Sequence, residues 1–241
     1  MPHIEQDRIA AAGAIKAAKR LVVLTGAGVS AESGVPTFRG PEGLWQNFRP
    51  EDLATPEAFQ SDPELVWKWY DWRRGLIASV EPNAAHYAIV EMEKDRPGFT
   101  LVTQNVDGLH VDAGSRNVIE LHGSIWRVRC TGCGKEDINR DVPIDILPGC
   151  ACGALLRPGV VWFGEGLDMA LLQAAFDATD GAEVFITAGT SGVVQPAASL
   201  AQRAKRKGAV LVEINTERTP LSPSMDYVLI GKASEILPAL L

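Results

Sequence analysis

Short, continuous apolar runs alternate along the chain with longer segments in which apolar residues recur at helical spacing. Uninterrupted runs of Val, Ile and Leu are typical of strands that are buried on both faces of a parallel sheet. Strands are therefore expected at residues 21–25, 99–103, 118–121, 184–187, 210–214 and 227–230. Helices are expected at residues 4–19, 63–79, 84–94, 169–179, 194–205 and 233–240. This alternation predicts an α/β fold with a doubly wound parallel sheet.

Two stretches interrupt the alternation. Residues 41–85 are rich in Trp and Pro and have a mostly helical pattern, whereas residues 124–157 contain all four cysteines and show little periodicity. We interpret both as insertions into a single domain of residues 1–241, and we expect them to pack together as a smaller second lobe.

Composition limits the function classes. The chain has 241 residues, 46% of them hydrophobic, and a net charge of −7 from 23 basic and 30 acidic residues. A protein that binds nucleic acid or a membrane surface usually carries a basic footprint, so neither partner is expected. The N-terminal segment has charges throughout, unlike a signal peptide, and no apolar stretch is long enough to span a bilayer. We therefore expect a cytoplasmic protein, and a monomer.

The cysteines form two closely spaced pairs, Cys130/Cys133 and Cys150/Cys152. Two such pairs can direct four thiolates to one centre, which predicts one structural Zn²⁺ ion with no open coordination position. Two disulfides are the alternative, and they are disfavoured in a cytosolic chain. A zinc ribbon that binds nucleic acid is a further option, but residues 135–141 have mixed charge and no aromatic side chain.

A glycine-rich run follows the first predicted strand, beginning with Gly26, Ala27 and Gly28. Bare backbone at the end of a buried strand is typical of a dinucleotide site, although a tight turn with no ligand has the same signature. An acidic residue about twenty positions further on, where a dehydrogenase binds its ribose, is missing. The run therefore indicates a dinucleotide but not simple hydride transfer.

Polar residues follow three other predicted strands, where ligands of open α/β sheets bind. They are Gln104, Asn105 and Asp107; Gly189, Thr190 and Ser191; and Asn215, Thr216 and Glu217. A histidine at a strand end, His122, is a candidate general base. The alternatives are a helix cap at Asp107 and a purely structural histidine.

Several motifs occur along the chain in this order: GAGVSAESGVPTFRG at 26–40, TQNVDGLH at 103–110, ELHGS at 120–124, the cysteine pairs, GVVWFGE at 159–165 and GTSGVVQPA at 189–197. Taken together, they resemble the signature set of the sirtuins, a family of NAD-dependent protein lysine deacylases. The resemblance implies a Rossmann-like large domain, with a small lobe made of the helical insert 41–85 and the zinc insert 124–157. It also implies that NAD is consumed, that acylated lysines of proteins are the substrates, and that nicotinamide and O-acyl-ADP-ribose are released.

The resemblance also implies residue roles. His122 would be the catalytic base, and a strand at 159–165, with Val161, Trp162 and Phe163, would bind the substrate peptide. NAD would be bound by Gly26, Ala27, Gly28, Phe38, Arg39, Trp45, Gln104, Asn105, Asp107, Gly189, Thr190, Ser191, Asn215, Thr216, Glu217 and Ala233.

A Tyr-x-x-Arg pattern, Tyr70 and Arg73, places a phenol and a guanidinium on one face of the predicted helix 63–79. With the small Ala54, it resembles the sirtuin subclass that removes succinyl, malonyl or glutaryl groups. In an ordinary helix, Tyr70 would pack and Arg73 would extend to solvent. Two other functions stay open: an NAD-dependent mono-ADP-ribosyltransferase on the same fold, and a non-catalytic NAD-binding scaffold.

Overall fold

The computed structural model describes residues 2–37 and 49–241, with side chains from residue 5 onward. The sequence-predicted cofactor residues Phe38, Arg39 and Trp45 lie outside the described residues. The described strands are β1 (Arg20–Thr25), β2 (Gly98–Thr103), β3 (Val118–Glu120), β4 (Gly123–Cys130), β5 (Glu136–Ile138), β6 (Leu156–Val160), β7 (Val184–Ala188), β8 (Val210–Asn215) and β9 (Tyr227–Ile230).

Six of these strands form one parallel sheet in the order β3-β2-β1-β7-β8-β9. Counted within the sheet, this is the order 3-2-1-4-5-6 of the dinucleotide-binding α/β fold. The predicted fold class is confirmed, and each predicted strand of this sheet ends within one residue of its observed bounds. The strand order reverses between β1 and β7, and the carboxyl ends of two such strands are where open α/β sheets form their ligand-binding crevice.

The described α-helices are α1 (Pro2–Ala17), α2 (Gly28–Ala31), α3 (Pro50–Leu53), α4 (Pro56–Ser61), α5 (Pro63–Ala78), α6 (Ala84–Glu93), α7 (Leu109–Ala113), α8 (Met169–Gly181), α9 (Ala197–Arg206) and α10 (Ala233–Ile236). The predicted helix 233–240 is interrupted. Pro238 has no N–H to continue the helical ladder, so α10 ends at Ile236 and a 3₁₀ turn covers Pro238–Leu240.

Helices cover both faces of the large sheet. Along β1, Leu21 and Val23 pack in a core with α1, α6 and α10, whereas Val22 and Leu24 pack with α8 and α9. All four side chains are buried, which explains why β1 has no polar alternation.

A smaller lobe has its own core, between helices α3–α5 and a three-stranded antiparallel sheet, β5-β4-β6. Buried Arg74 on α5 joins the two parts of the lobe: its guanidinium donates to the carbonyl oxygens of Ile125 (2.9 Å), Asn139 (2.7 Å) and Asp141 (3.0 Å). In the part of the chain that is described, no helix combines the length and apolar character that crossing a membrane requires.

Candidate functional site

The crevice between β1 and β7 is closed at its base by backbone contacts. Gly26 N–H donates to the carbonyl of Ala188 (3.1 Å), and Gly28 N–H donates to that of Gly189 (2.8 Å). A Cβ atom on Gly26 or Gly28 would lie 2.9 or 2.8 Å from the Gly189 carbonyl oxygen. The glycines are thus required for two strand-end loops to pack against each other. This role adds to the one that the sequence indicates, which is to expose bare backbone to a ligand.

Thr190 links three strand ends across this crevice. Its hydroxyl accepts a hydrogen bond from Gln104 Nε2 (2.9 Å), and its carbonyl oxygen accepts one from Asn215 Nδ2 (2.9 Å). The structure thereby brings together residues that are far apart in sequence, at the edge where a ligand is expected.

The other residues predicted at this edge differ in exposure. Ser191, Thr216 and Glu217 are exposed, whereas Ala27 is half-buried. Ala233, at the start of α10, is buried with its methyl group in the core of the large lobe.

A buried polar pocket lies beside the crevice, built from Ser30, Asn105 and Asp107. Asn105 Nδ2 donates to Ser30 Oγ (3.1 Å), and Asp107 Oδ1 accepts from the Leu109 N–H (2.9 Å). Burial raises the pKa of Asp107, and the Leu109 N–H, Ser30 and the charge of Arg73 partly oppose the shift. Side-chain amide and carboxylate groups held in this way can bind a carboxamide.

Ser30 and His86 are pocket residues that the sequence analysis missed. His86 Nδ1 accepts the Asn83 N–H (3.1 Å), so its Nε2 carries the proton and faces Ser30 Oγ at 3.4 Å. Burial lowers the pKa of His86 to about 4, which keeps the ring neutral. The sequence feature that could have indicated the position of His86 is Asn83. Asn83 is the N-cap residue of α6, and His86, three positions later, completes a capping box with it.

Two buried threonines extend this network below the pocket. Thr25 Oγ1 donates to Thr103 Oγ1 (2.8 Å), which also accepts the Asn105 N–H (3.0 Å). Thr25 Oγ1 is 2.9 Å from His110 Nε2, and burial holds the pKa of His110 well below its ordinary value. Asn105 is therefore fixed through both its backbone and its side chain.

His122 lies between β3 and β4, where the two lobes meet. Its Nδ1 is 3.0 Å from the Gln104 carbonyl oxygen, which can only accept, so Nδ1 carries the proton and Nε2 has a free lone pair. Burial lowers the pKa of His122, while the bond to Gln104 opposes the shift. A neutral imidazole with an available Nε2 can act as a general base near neutral pH.

Tyr70 and Arg73 are both buried on α5, 2% and 6% exposed. The alternative in which Arg73 extends to solvent is therefore wrong. The Arg73 guanidinium lies 4.9 Å from the centre of the Trp69 ring and interacts electrostatically with Asp107, which connects this region to the polar pocket. Ala54 is also buried.

The predicted strand 159–165 is wrong beyond Val160, where β6 ends. The chain turns instead: the Glu165 N–H donates to the Trp162 carbonyl (3.1 Å), and the Phe163 N–H donates to the Ala54 carbonyl (2.9 Å). Of the three predicted peptide contacts, Phe163 is 48% exposed and Val161 is half-buried, but Trp162 is buried in the small lobe.

The four cysteines form a cluster in which all Sγ atoms lie within 4.8 Å of one another. The thiols are free, with Cys130 and Cys152 Sγ atoms 3.4 Å apart and Cys133 and Cys150 Sγ atoms 3.8 Å apart. Tetrahedral Zn–S bonds of about 2.3 Å place sulfur atoms a little under 4 Å apart, so the cluster could bind one zinc ion. The disulfide alternative does not fit these distances, since S–S bonds are about 2.0 Å.

Residues 26–196 match the model of the Sir2 family. A protein of Aquifex aeolicus named NAD-dependent protein deacylase is 56% identical over 216 residues, which cover 89% of this chain and 90% of that protein. A solved Sir2 homologue in complex with NAD is 54% identical with a TM-score of 0.90, covering 95% of this chain and 90% of that one. A solved Sir2 protein bound to a myristoylated histone peptide is 34% identical with a TM-score of 0.80, covering 98% and 95%. With these motifs on this strand order, the chain belongs to the Sir2 family.

Proposed function

We propose that this protein removes acyl groups from protein lysines in an NAD-dependent reaction that releases nicotinamide and O-acyl-ADP-ribose, and that it prefers acyl chains ending in a carboxylate. The observation that carries the proposal is the position of His122. Its neutral ring is bonded to the carbonyl of Gln104, directly before the pocket residue Asn105. The candidate general base is thus hydrogen-bonded to the backbone segment that carries Asn105, a residue of the proposed carboxamide pocket.

The residues of the crevice suit NAD. Asn105 and Asp107 would hold the nicotinamide carboxamide, and the Gly26–Gly28 and Gly189–Thr190 loops would face the diphosphate and ribose. Bound NAD supplies an electrophilic ribose carbon with nicotinamide as leaving group. Because the pocket is buried and polar, it would orient that group and exclude water.

His122 would accept a proton from a ribose hydroxyl through Nε2. The deprotonated oxygen would then be a nucleophile toward the carbonyl carbon of the substrate's acyl group. Because its pKa lies below the ordinary 6.5, the base is deprotonated throughout the neutral range. The rate should therefore be constant around pH 7 to 8 and fall only as the pH drops through the lowered pKa of His122.

The substrate lysine would approach along residues 161–165, with Phe163 and Val193 as exposed apolar contacts. Val161 and Phe163 already use their N–H groups within the chain, so a peptide added here would bond largely to carbonyl oxygens. Main-chain bonding of this kind tolerates many sequences, so peptide selectivity should be modest.

Tyr70 and Arg73 support the preference for an acidic acyl chain. The Arg73 guanidinium is buried beside the Tyr70 ring, 5.9 Å from its centre, and burial lowers the pKa of Arg73 while Tyr70 and Asp107 oppose the shift. A carboxylate at the end of an acyl chain would supply the opposite charge, and a phenol and a guanidinium can bind it together.

The test compares matched succinyl-lysine and acetyl-lysine peptides by mass spectrometry, with and without NAD. We expect NAD-dependent loss of both acyl groups, with succinyl preferred, and Arg73→Met should lower the succinyl-to-acetyl ratio of kcat/KM at least tenfold. Arg129→Met, at an exposed site on β4, is the matched control. An unchanged ratio in Arg73→Met would contradict the carboxylate role, and radiolabel from NAD retained on protein would contradict deacylation.

A further inference from the structure

The Tyr70 hydroxyl accepts a hydrogen bond that limits where its own proton can point. Trp162 Nε1 donates to the Tyr70 oxygen at 3.0 Å, and both side chains are buried. An indole N–H can only donate, so the phenol oxygen is the acceptor and its proton is left for another acceptor. Among the described residues, Trp162 is the one hydrogen-bond partner that the Tyr70 hydroxyl has.

A buried O–H without an acceptor destabilises the protein, since the group has lost its bond to water. It becomes favourable when a ligand supplies the acceptor, and a carboxylate beside the Arg73 guanidinium is an acceptor of the right charge. Burial also raises the pKa of Tyr70, so the phenol remains a donor at neutral and mildly alkaline pH.

Trp162 is itself held by the Arg157–Glu165 ion pair and by a neighbouring aromatic ring. The Arg157 guanidinium lies 3.5 Å from the centre of the Trp162 ring, and it forms two bonds to Glu165, of 2.6 and 2.8 Å. Glu165 Oε2 also accepts the backbone N–H of Trp162 (2.8 Å). The centre of the Phe59 ring also lies 5.3 Å from that of the Trp162 ring. The indole N–H is therefore held in one direction, toward Tyr70.

We infer that Trp162 is a positioning residue for acyl selectivity: its indole N–H orients the Tyr70 hydroxyl so that the proton points to the carboxylate of the acyl chain. The inference rests on the proposed function, since it specifies how the carboxylate is recognised. It also changes the role expected for Trp162, from direct contact with the peptide to an action through Tyr70.

The test measures kcat and KM on succinyl and acetyl peptides for Trp162→Phe, Tyr70→Phe and the double variant. Trp162→Phe keeps an aromatic ring and removes the N–H donor. We expect the succinyl-to-acetyl ratio of kcat/KM to fall about tenfold, mainly through KM for the succinyl peptide. We expect the double variant to have the same ratio as Tyr70→Phe, because the indole acts only through the phenol.

Using the ratio removes the effect of any misfolded fraction, because both peptides are assayed on one preparation. A ratio unchanged in Trp162→Phe, or a double variant whose loss equals the product of the single losses, would overturn the inference. Arg73→Met separates the two proposals. If it lowers the ratio and Trp162→Phe does not, carboxylate recognition stands and the role of Trp162 is wrong; if wild-type enzyme shows no succinyl preference, the proposed specificity itself has failed.

Discussion

At the residue scale, the buried imidazole of His86 shows how a neutral side chain can order a polar pocket. The ring accepts the Asn83 N–H and faces Ser30 with its other nitrogen, and Ser30 in turn accepts from Asn105. A protonated ring could not accept from Asn83, and its charge would be buried. Neutrality of His86 is therefore a condition for the native pocket.

This condition predicts a pH-dependent stability. The pKa of His86 is about 4 in the native state and about 6.5 in an unfolded chain, so between these values the unfolded state binds more protons. The free energy of unfolding should fall as the pH is lowered through this window, by about 2 kcal/mol between pH 7 and pH 5 from His86 alone.

Urea unfolding at both pH values measures this change, with His86→Gln as the non-titrating variant. The variant should be less stable than wild type at pH 7 but should lose about 2 kcal/mol less on going to pH 5. The pKa of His110 is also lowered, by burial and by the neighbouring His86, so His110 contributes to the loss in both proteins and contributes less in the variant. Identical losses in the two proteins would contradict a neutral, buried His86.

The same residues show what could be predicted at this scale. His122, Asn105 and Asp107 follow predicted strands, and parallel strands place their carboxyl ends along one edge, so their proximity could be foreseen. Ser30 and His86 follow no strand end. They enter the pocket through a short helix and a helix cap, and contacts of that kind depend on how helices pack, which no local pattern specifies.

At the element scale, the junction of β4 and β6 positions His122. Gly123, the first residue of β4, has φ +76°, and a Cβ atom there would lie 2.2 Å from the Gly159 carbonyl oxygen. The Val161 N–H donates to the His122 carbonyl (2.9 Å) at the same point. Close backbone contact between the two strands thus fixes the segment that carries the candidate base.

Gly123→Ala should therefore destabilise the protein by about 3 kcal/mol, because it combines a left-handed φ with a backbone clash, and it should lower deacylation more than tenfold. Gly13→Ala is the matched control. Gly13 lies within α1 with open space around it, so alanine should stabilise the helix by up to about 1 kcal/mol. Thermal unfolding with a peptide assay measures both; equal effects of the two substitutions would refute the account.

The observed bounds of the elements agree with the predicted bounds where a strand is uniformly buried. They differ where side-chain hydrogen bonds determine the path of the backbone. The strands of the large sheet are mostly apolar and were predicted within one residue. The run GVVWFGE looks equally strand-like, but Glu165 bonds to Arg157 and to the Trp162 N–H, which turns the chain after Val160. Side-chain bonds of this kind have no counterpart in a local apolar pattern.

At the scale of the whole molecule, the small lobe supports the pocket of the large one. On β4, Trp126 Nε1 donates to the Asp107 carbonyl (2.6 Å), and the Ile125 N–H donates to the Val106 carbonyl (2.8 Å). Cys130, at the other end of β4, belongs to the four-cysteine cluster. One strand therefore connects the candidate metal site to the backbone of Asp107.

The strand predicts that metal and NAD binding are coupled. A structural zinc ion contributes its binding free energy to folding, so its removal should loosen β4 and withdraw both bonds from the segment that carries Asp107. We expect one zinc ion per chain by elemental analysis. After chelation we expect a lower midpoint of thermal unfolding, faster hydrogen exchange in β4, and an NAD affinity reduced at least tenfold.

Adding zinc back should reverse all three changes, which separates metal loss from irreversible damage. If chelated protein kept its NAD affinity while β4 exchanged faster, the bonds from Trp126 and Ile125 would not be what holds the pocket, and Ser30 and His86 would suffice to order it.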